Sequence, residues 1–126
     1  MAWVGASASS DQTVGQVYAL TAILELVKER EWRTRALTCL DDLLGYILAN
    51  NLYIIDADGE PTMWGKWNPD YVNSFPENVG DRKITSSNII AFLQTAYRFT
   101  RKEKYKEKAM ELMHSHGYLK NLMYPM

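Results

Sequence analysis

Acidic and aromatic side chains are interleaved in one polar segment of the sequence, from residue 56 to residue 82. Its acids are Asp56, Asp58, Glu60, Asp70, Glu77 and Asp81, and its large aromatic residues are Trp64, Trp67, Tyr71 and Phe75. Aromatic faces stack on the C–H faces of sugars, while carboxylates accept hydrogen bonds from sugar hydroxyls. Two carboxylates held roughly 5–9.5 Å apart could also serve as acid and base in glycoside cleavage. The segment therefore predicts a binding site for a carbohydrate or a similar polar small molecule.

The residues expected to contact this ligand come mostly from the same segment. They are Asp56, Trp64, Trp67, Asp70, Tyr71, Asp81 and Arg82. No catalytic residue is assigned among them. An alternative interpretation is that the rings anchor the segment to neighbouring helices and that the acids only keep it solvated. The two interpretations differ in one observable, because a binding site needs Trp64 and Trp67 exposed beside at least two carboxylates.

No motif in the sequence predicts a metal ion or a cofactor. The string D-A-D-G at 56–59 has glycine at its fourth position and Trp67 at its twelfth, whereas an EF-hand calcium loop needs glycine at the sixth and glutamate at the twelfth. We therefore interpret this string as a tight turn. His114 and His116 are two residues apart in a predicted helix, so they point to different sides and do not form a zinc-binding pair.

Composition and charge exclude several classes of partner. The 126 residues carry a formal net charge of −1 with a sequence pI near 6.1, so the concentrated positive charge that binds nucleic acids and acidic membranes is missing. Residues 101–108 hold five basic and two acidic side chains, which is typical of a solvated helix face. No stretch approaches the ~20 consecutive apolar residues of a membrane-spanning helix. We expect binding to neither nucleic acids nor membranes.

Length and cysteine content are typical of one helical domain spanning residues 1–126. A chain of this length can bury a substantial hydrophobic core without a metal or a disulfide. Cys39 is the single cysteine, so we expect no internal disulfide and a small buried apolar residue at this position. The start of the sequence has no basic leader followed by an apolar block. As written, the protein is expected in the cytoplasm, or outside it if the sequence is a piece of a larger exported protein.

The spacing of apolar residues and the capping residues predict helices around one β-hairpin. In order, the elements are helices over about 10–27 and 32–48, strands over 52–55 and 62–67, helices from about 85 and from about 102, and a short helical turn over 118–124. Ser9 and Gln12 fit a capping box for the first helix, and Thr85 is the first of three possible caps for the third. Residues 68–82 predict a long irregular loop. The fold class is mainly α: two antiparallel helical hairpins with an inserted β-hairpin and a long loop.

Several strings resemble a known class of helical proteins. Residues 100–105, T-R-K-E-K-Y, followed by Ala109 and Leu112, look like the T-G-x-x-K-Y…A…L joint between helices of the (α/α) toroid, or six-hairpin glycosidase-like, proteins. Similarity to an uncharacterised bacterial branch of that class is carried by the strings at 9–12, 56–69 and 84–93. The resemblance covers most of the chain, and the W-G-K-W string after the D-G turn is its most specific part. Arg101 stands where the joint usually has glycine, so we expect this turn to be made differently.

The resemblance implies a partial toroid, because a complete ring has six helical hairpins and this chain has about two. Apolar faces that the missing hairpins would cover must then be covered in another way. We expect a C2 homodimer, or else the remainder of a larger toroid, to cover them; a closed four-helix bundle is the other arrangement. By the same resemblance, Asp11 lies near the open end of the ring, where sites are usually found, and it joins the expected ligand residues.

Three functions remain open. The first is non-catalytic or vestigial recognition of a carbohydrate or another polar small molecule by the loop. The second is that of a self-associating helical protein without small-molecule chemistry, with an interface formed by Trp64, Trp67, Phe75, Leu119, Leu122 and Met123. The third is that of a glycoside hydrolase fragment acting through Asp11 and an acid of the loop.

Overall fold

The structure is a computed structural model that describes residues 10–75 and 77–123. Most of these residues are in helices, as the helical spacing of apolar residues predicts. Within these residues the elements are α1 (Ser10–Leu26), α2 (Arg30–Ala49), β1 (Tyr53–Ile55), β2 (Pro61–Lys66), α3 (Pro69–Val72), α4 (Val79–Thr100), α5 (Glu103–His114) and α6 (Tyr118–Met123). The fold is mainly α, with a β-hairpin inserted between helices, which confirms the predicted fold class. Ser9, one partner of the predicted capping box, lies outside the described residues.

α1 and α2 form the first helical hairpin. Leu40 and Ile47 of α2 are fully buried in the core. The corner between the helices is closed by Arg33, because its Nη1 donates to the carbonyl oxygens of Leu24 and Val27, the latter at 3.3 Å. The Leu24 carbonyl belongs to the last turn of α1 and Val27 follows the helix, so Arg33 caps the end of α1.

α4 and α5 form the second helical hairpin, and α6 packs on both. At their corner, Arg101 has a φ of +62°, and its backbone N–H donates to the Tyr97 carbonyl (2.8 Å). Arg101 takes the left-handed conformation that glycine adopts without steric cost, at an expense of roughly 1–2 kcal/mol for a residue with a Cβ atom.

A polar contact joins α2 to the start of α5. Tyr105 is buried, and its hydroxyl donates to one carboxylate oxygen of Asp41 (2.6 Å), while Lys102 Nζ donates to the other (2.5 Å). Burial by itself raises the pKa of Asp41, but these hydrogen bonds and the charges of Lys102 and Lys104 outweigh it and hold the pKa below its ordinary value. Burial, followed by the bond to Asp41, raises the pKa of Tyr105. At neutral pH the contact therefore pairs a carboxylate with a protonated phenol.

β1 and β2 form the predicted antiparallel hairpin. The paired residues are Tyr53 with Lys66 and Ile55 with Pro61. Gly59 has a φ of +85°, and its N–H donates to the Asp56 carbonyl (3.0 Å). The Asp56 side chain accepts a hydrogen bond from the N–H of Ala57 (2.6 Å), and the Asp58 side chain accepts one from Glu60 (2.9 Å). Both acids serve the turn, as the tight-turn interpretation predicts.

Gly65 lets the hairpin pack closely on itself. A Cβ atom at this position would lie 2.7 Å from Thr62 Oγ1 and 2.8 Å from Ile54 Cβ, which is inside van der Waals contact. The Gly65 N–H donates to the same Thr62 oxygen (3.0 Å). The glycine of the W-G-K-W string therefore has a structural reason, because any side chain here would displace the buried Ile54.

The segment predicted as a long irregular loop over 68–82 is shorter than expected and partly helical. The Asn68 side chain accepts a hydrogen bond from the Asp70 N–H (2.7 Å), and the proline between them occupies the first turn of α3. Both features start a helix. α4 then begins at Val79 rather than near Thr85. The connection that remains is short and lies against the first turns of α4.

Trp67 follows β2 and is fully buried, with 0% of its surface exposed. Its ring meets Phe92 of α4 edge to face, with centroids 5.9 Å apart, and the Tyr118 hydroxyl of α6 donates to its backbone carbonyl. The ring has no face open to a sugar or to a second subunit, so both predicted roles of Trp67 are wrong. For this residue the alternative interpretation is confirmed, because the ring anchors the segment to the helices.

Candidate functional site

A small pocket opens between α3 and the first turns of α4. We call it the aromatic pocket; its lining residues are Tyr71, Val72, Phe75, Asn78, Asp81, Arg82 and Thr85. It encloses about 290 Å³ of empty space, part of which is continuous with solvent. The capped start of α3 fixes Tyr71, and the first turn and a half of α4 carries Asp81 and Arg82. Two aromatic rings, one acid and one base therefore share a single concave surface.

The two rings of the aromatic pocket support each other. Tyr71 and Phe75 pack edge to face, with centroids 5.5 Å apart and planes inclined by 69°. The ammonium group of Lys66 lies 4.8 Å from the centroid of the Tyr71 ring, a distance typical of a cation–π contact. Tyr71 is half-buried, whereas Phe75 is 41% exposed. Phe75 is therefore the ring that remains open to a ligand.

Arg82, the basic residue of the aromatic pocket, is held in place by α6. Arg82 is half-buried, and its Nη1 donates to Asn121 Oδ1 of α6 (3.3 Å). The amide nitrogen of Asn121 donates to Asn73 Oδ1 and to Ser86 Oγ, both at 3.1 Å. Ser86, predicted as a possible helix cap, is instead buried inside α4 as part of this network. The network fixes the guanidinium group, while Asp81 beside it is exposed.

A second pocket lies on the other side of α3, between the end of α2 and α5. We call it the polar pocket; its lining residues are Leu48, Asn51, Leu52, Asn68, Pro69, Asp70, Lys108, Glu111, Leu112 and His116. Its empty space is about 520 Å³. Glu111 accepts a hydrogen bond from Lys108 Nζ (2.7 Å), and His116 Nε2 lies 3.9 Å from the same carboxylate. The bond from Lys108 lowers the pKa of Glu111, so its carboxylate is ionised at neutral pH.

Four of the eight predicted ligand residues line these pockets. Tyr71, Asp81 and Arg82 meet in the aromatic pocket, and Asp70 belongs to the polar pocket. The structure thus brings three predicted residues together and separates Asp70 from them, because Asp70 and Tyr71 are neighbours in a helix and point to different sides of α3.

The other four predicted residues lie elsewhere. Asp56 serves the hairpin turn, and Trp67 is buried in the core. Asp11 is exposed in the first turn of α1, where its charge complements the helix dipole, and it lines neither pocket. Trp64 belongs to β2, and its side chain lies outside the described part of the structure.

Several polar side chains that line these pockets were not predicted from the sequence, because distant segments bring them together. Lys108 and Glu111 belong to α5, whereas Asn51 follows α2 and His116 follows α5. The Lys108–Glu111 spacing on one helix face was the only local signal for them. Arg82 was predicted, but nothing in the sequence indicated that Asn121 of the tail would hold it.

The described residues contain neither a candidate metal site nor a helix that could span a membrane. Among residues 10–75 and 77–123, no three histidine, cysteine or acidic side chains are grouped so that they could hold a metal ion. None of the helices in this part of the chain is both long and apolar enough to cross a membrane.

Comparison with known protein families, with curated proteins and with solved structures finds no match to this chain. The resemblance to the (α/α) toroid proteins stays a prediction from the motifs.

Proposed function

We propose that this protein recognises a sugar unit or a similar polyhydroxylated small molecule at the aromatic pocket. The observation that supports this function is the half-exposed ring of Phe75 beside the carboxylate of Asp81 and the guanidinium of Arg82. The polar pocket is larger, but no phenylalanine, tyrosine or tryptophan is among its described lining residues. The aromatic pocket is therefore the better match to a ligand that has both apolar C–H faces and hydroxyl groups.

Each group in the aromatic pocket has a distinct role in this proposal. The Phe75 ring stacks on the C–H face of the sugar, and Tyr71 supports that ring from its edge. Asp81 accepts hydrogen bonds from hydroxyl groups, and Arg82 donates to hydroxyl oxygens. Because Asn121 already holds the guanidinium group, little side-chain entropy is lost when a ligand binds.

The proposed recognition is weak and non-catalytic. At about −0.3 kcal/mol for each of roughly 12 non-hydrogen atoms, one sugar unit binds with a dissociation constant on the order of millimolar. Glycoside cleavage needs two carboxyl groups at one bond. Asp81 is the single acid among the described residues of this pocket, and the loop acids Asp56 and Asp70 are committed to the hairpin turn and to the polar pocket.

A binding experiment with ring variants tests the role of Phe75. Saturation-transfer NMR against a panel of monosaccharides and disaccharides identifies a bound sugar, and a titration then gives its affinity. We expect Phe75→Ala to weaken binding about tenfold, because the stacking surface is lost. The control is Trp32→Ala on α2, which removes a ring that is 53% exposed but lies outside the pocket. Equal binding by both variants, or no bound sugar at all, contradicts the proposal.

A second pair of variants tests the hydrogen-bonding side of the pocket. Asp81→Asn keeps the shape of the side chain but weakens it as an acceptor, so we expect a several-fold loss of sugar affinity. Asp42→Asn, at an exposed position of α2, changes the net charge equally and should leave affinity unchanged. A loss of the same size in both variants would indicate a general charge effect instead of a contact.

We propose self-association through α1 as a second candidate function. Residues 12–24 of α1 contain no charged side chain, and Tyr18 and Leu26 are each 76% exposed. A second copy of the chain offers the same uncharged surface, so two copies can meet without burying a charge. This interface differs from the predicted one, because Trp67 is buried within its own subunit, although Phe75, Leu119 and Met123 are exposed.

Light scattering over a range of protein concentrations tests the second candidate. We expect a dimer whose mass falls to that of one chain in the Leu26→Glu variant, because a buried unpaired charge opposes association. Met63→Glu, on an exposed residue of the β-hairpin (67% exposed), should leave the dimer intact. A single-chain mass for the unmodified protein at all concentrations contradicts self-association.

A further inference from the structure

A third pocket lies at the corner between α1 and α2, away from both pockets described above. We call it the cationic pocket; its lining residues are Leu24, Lys28, Arg30, Arg33, Thr34, Leu37 and Phe99. Its empty space, part of which is continuous with solvent, is about 690 Å³, more than in either of the other two. It is formed where the end of α1, the start of α2 and the last turn of α4 meet.

The polar side of the cationic pocket carries positive charge without a balancing acid. Lys28, Arg30 and Arg33 line it, and no acidic residue is among the described lining residues. The acids nearby in sequence have other partners: Glu31 pairs with Arg35 at 3.1 Å, and Glu25 pairs with Arg98. Glu29 precedes α2 and is exposed outside the lining. An anion in this pocket would therefore face several cations and no competing carboxylate.

One of the three cations is held rigidly. The Nη1 atom of Arg33 donates to the carbonyl oxygens of Leu24 and Val27, which fixes the guanidinium group against the corner. A guanidinium group has five N–H donors, so the donors of its other nitrogens can serve a ligand. Within the described part of the chain, Lys28 and Arg30 form no ion pair, and both are exposed.

The remaining walls of the cationic pocket are apolar. Leu24 is buried at its floor, and Leu37 and Phe99 are half-buried. An inorganic anion would use only the charged side and would leave this surface in contact with water. A ligand with an apolar body and one anionic group covers both surfaces.

We propose that the cationic pocket binds an organic anion that carries a carboxylate on an alkyl or aryl body. Arg30 and Lys28 bind the carboxylate together with the fixed guanidinium of Arg33. Leu24, Leu37 and Phe99 contact the body. This site shares no residue with the aromatic pocket, so the proposal is independent of sugar recognition.

Three small probes test this assignment by calorimetry or by NMR titration of the full chain. Octanoate has the anion and the apolar body, acetate has the anion alone, and octylammonium has the body with the opposite charge. We expect octanoate to bind, to bind more weakly at high salt, and to bind at least about tenfold more tightly than either other probe. Failure of octanoate to bind, or equal binding by acetate or octylammonium, overturns the proposal.

A charge-matched pair of variants locates the site. The double variant Lys28→Gln and Arg30→Gln removes two exposed cations of the pocket, and we expect octanoate affinity to fall about tenfold. The control is the double variant Lys106→Gln and Lys120→Gln, which removes two exposed cations elsewhere and should leave affinity unchanged. Arg33 is kept in both, because its bonds to α1 stabilise the corner. An equal loss in both double variants overturns the assignment.

Discussion

The β-hairpin region and α1 both contain large apolar side chains, but the described residues cover those of the two regions to different extents. Trp67, after β2, is 0% exposed, whereas Tyr18 and Leu26 of α1 are each 76% exposed. The difference arises because α6 returns to the hairpin, where Tyr118 contacts the Trp67 backbone. The outward side of α1 has no such cover among the described residues. An apolar run in a sequence therefore does not by itself indicate a missing partner.

The two regions also differ in how they use polar groups. Around the hairpin and α6, several buried polar atoms belong to hydrogen-bond networks, such as the bonds from Asn121 to Ser86 and Asn73. α1 has no charged residue from 12 to 24 and depends on packing against α2 and α4. Networks of this kind fix one arrangement because each unmade bond is costly. An exposed apolar surface, such as that of Tyr18 and Leu26, can pack against different partners.

The largest expected effect comes from removing the ring that closes the hairpin region. Trp67→Ala should lower the free energy of unfolding by about 3–5 kcal/mol, because it leaves a cavity where a fully buried side chain was. Chemical denaturation measures the loss. Trp32→Ala, at a ring that is 53% exposed, should cost far less.

A further variant separates the volume of Trp67 from its polar atom. The Trp67 indole N–H is buried without an acceptor among the described residues, so Trp67→Phe removes an unpaired donor as well as volume. We expect a smaller loss than for alanine. If Trp67→Ala lowers the free energy of unfolding no more than Trp32→Ala does, the ring of Trp67 is not buried as the structure shows.

The next effect tests how tightly the hairpin packs on itself. Gly65→Ala should lower the free energy of unfolding by roughly 1–3 kcal/mol, because the new Cβ would lie 2.7–2.9 Å from atoms of Thr62 and Ile54. Thermal or chemical unfolding measures this change. An unchanged free energy of unfolding would mean that the hairpin can shift to accept a methyl group and is packed no more tightly than the exposed side of α1.

The hairpin was predictable from the sequence because its signals are local. A D-G pair between two β-type runs sets the turn and hence the register, and Asp56 and Gly59 make the expected bonds. Helix positions were predictable for the same reason, apart from the start of α4. Its N-cap, Asn78, makes no side-chain cap bond, whereas Thr85 precedes two further hydroxyl residues and gave a stronger but incorrect signal.

The candidate site was only partly predictable, because its decisive contacts are long-range. Alternation along β2 does not tell which residues are covered, and the cover over Trp67 comes from Tyr118 in the tail. Tyr71, Asp81 and Arg82 were predicted together because they are close in the sequence. Asp70 and Glu111 are far apart in the sequence and line one pocket only in the folded structure, and no local pattern contains that information.

An acid titration should weaken the contact between α2 and α5 and leave the uncharged part of α1 unaffected. The pKa of Asp41 is lower in the folded protein than its ordinary value, through its bonds to Lys102 and Tyr105, so it binds fewer protons when folded than when unfolded. Its contribution is present above the ordinary pKa of aspartate and is lost as pH falls through the folded value. We expect Asp41→Asn to cost about 1 kcal/mol at neutral pH.

The pH dependence of that cost is the discriminating measurement. Unfolding of both proteins at pH 7 and near pH 3 should give a difference in stability that shrinks in acid, because protonation weakens the same contact in the unmodified chain. A difference that stays constant with pH would mean that the Asp41 carboxylate is not what joins α2 to α5. The uncharged part of α1 should contribute nothing to this dependence.

The smallest effect is expected from the glycine-to-alanine change at Gly15 of α1, the other region of the comparison. A Cβ atom at Gly15 of α1 would meet nothing within 4 Å, and alanine is favoured over glycine inside a helix by roughly 0.5–1 kcal/mol. Gly15→Ala should therefore raise the free energy of unfolding by about that amount at low protein concentration, while Gly65→Ala lowers it. A loss of stability at low concentration would contradict an open outward side of α1. Repeating the measurement at high concentration then asks whether a second copy lies against Gly15, because a gain that disappears on association would mean that the added methyl group meets the partner.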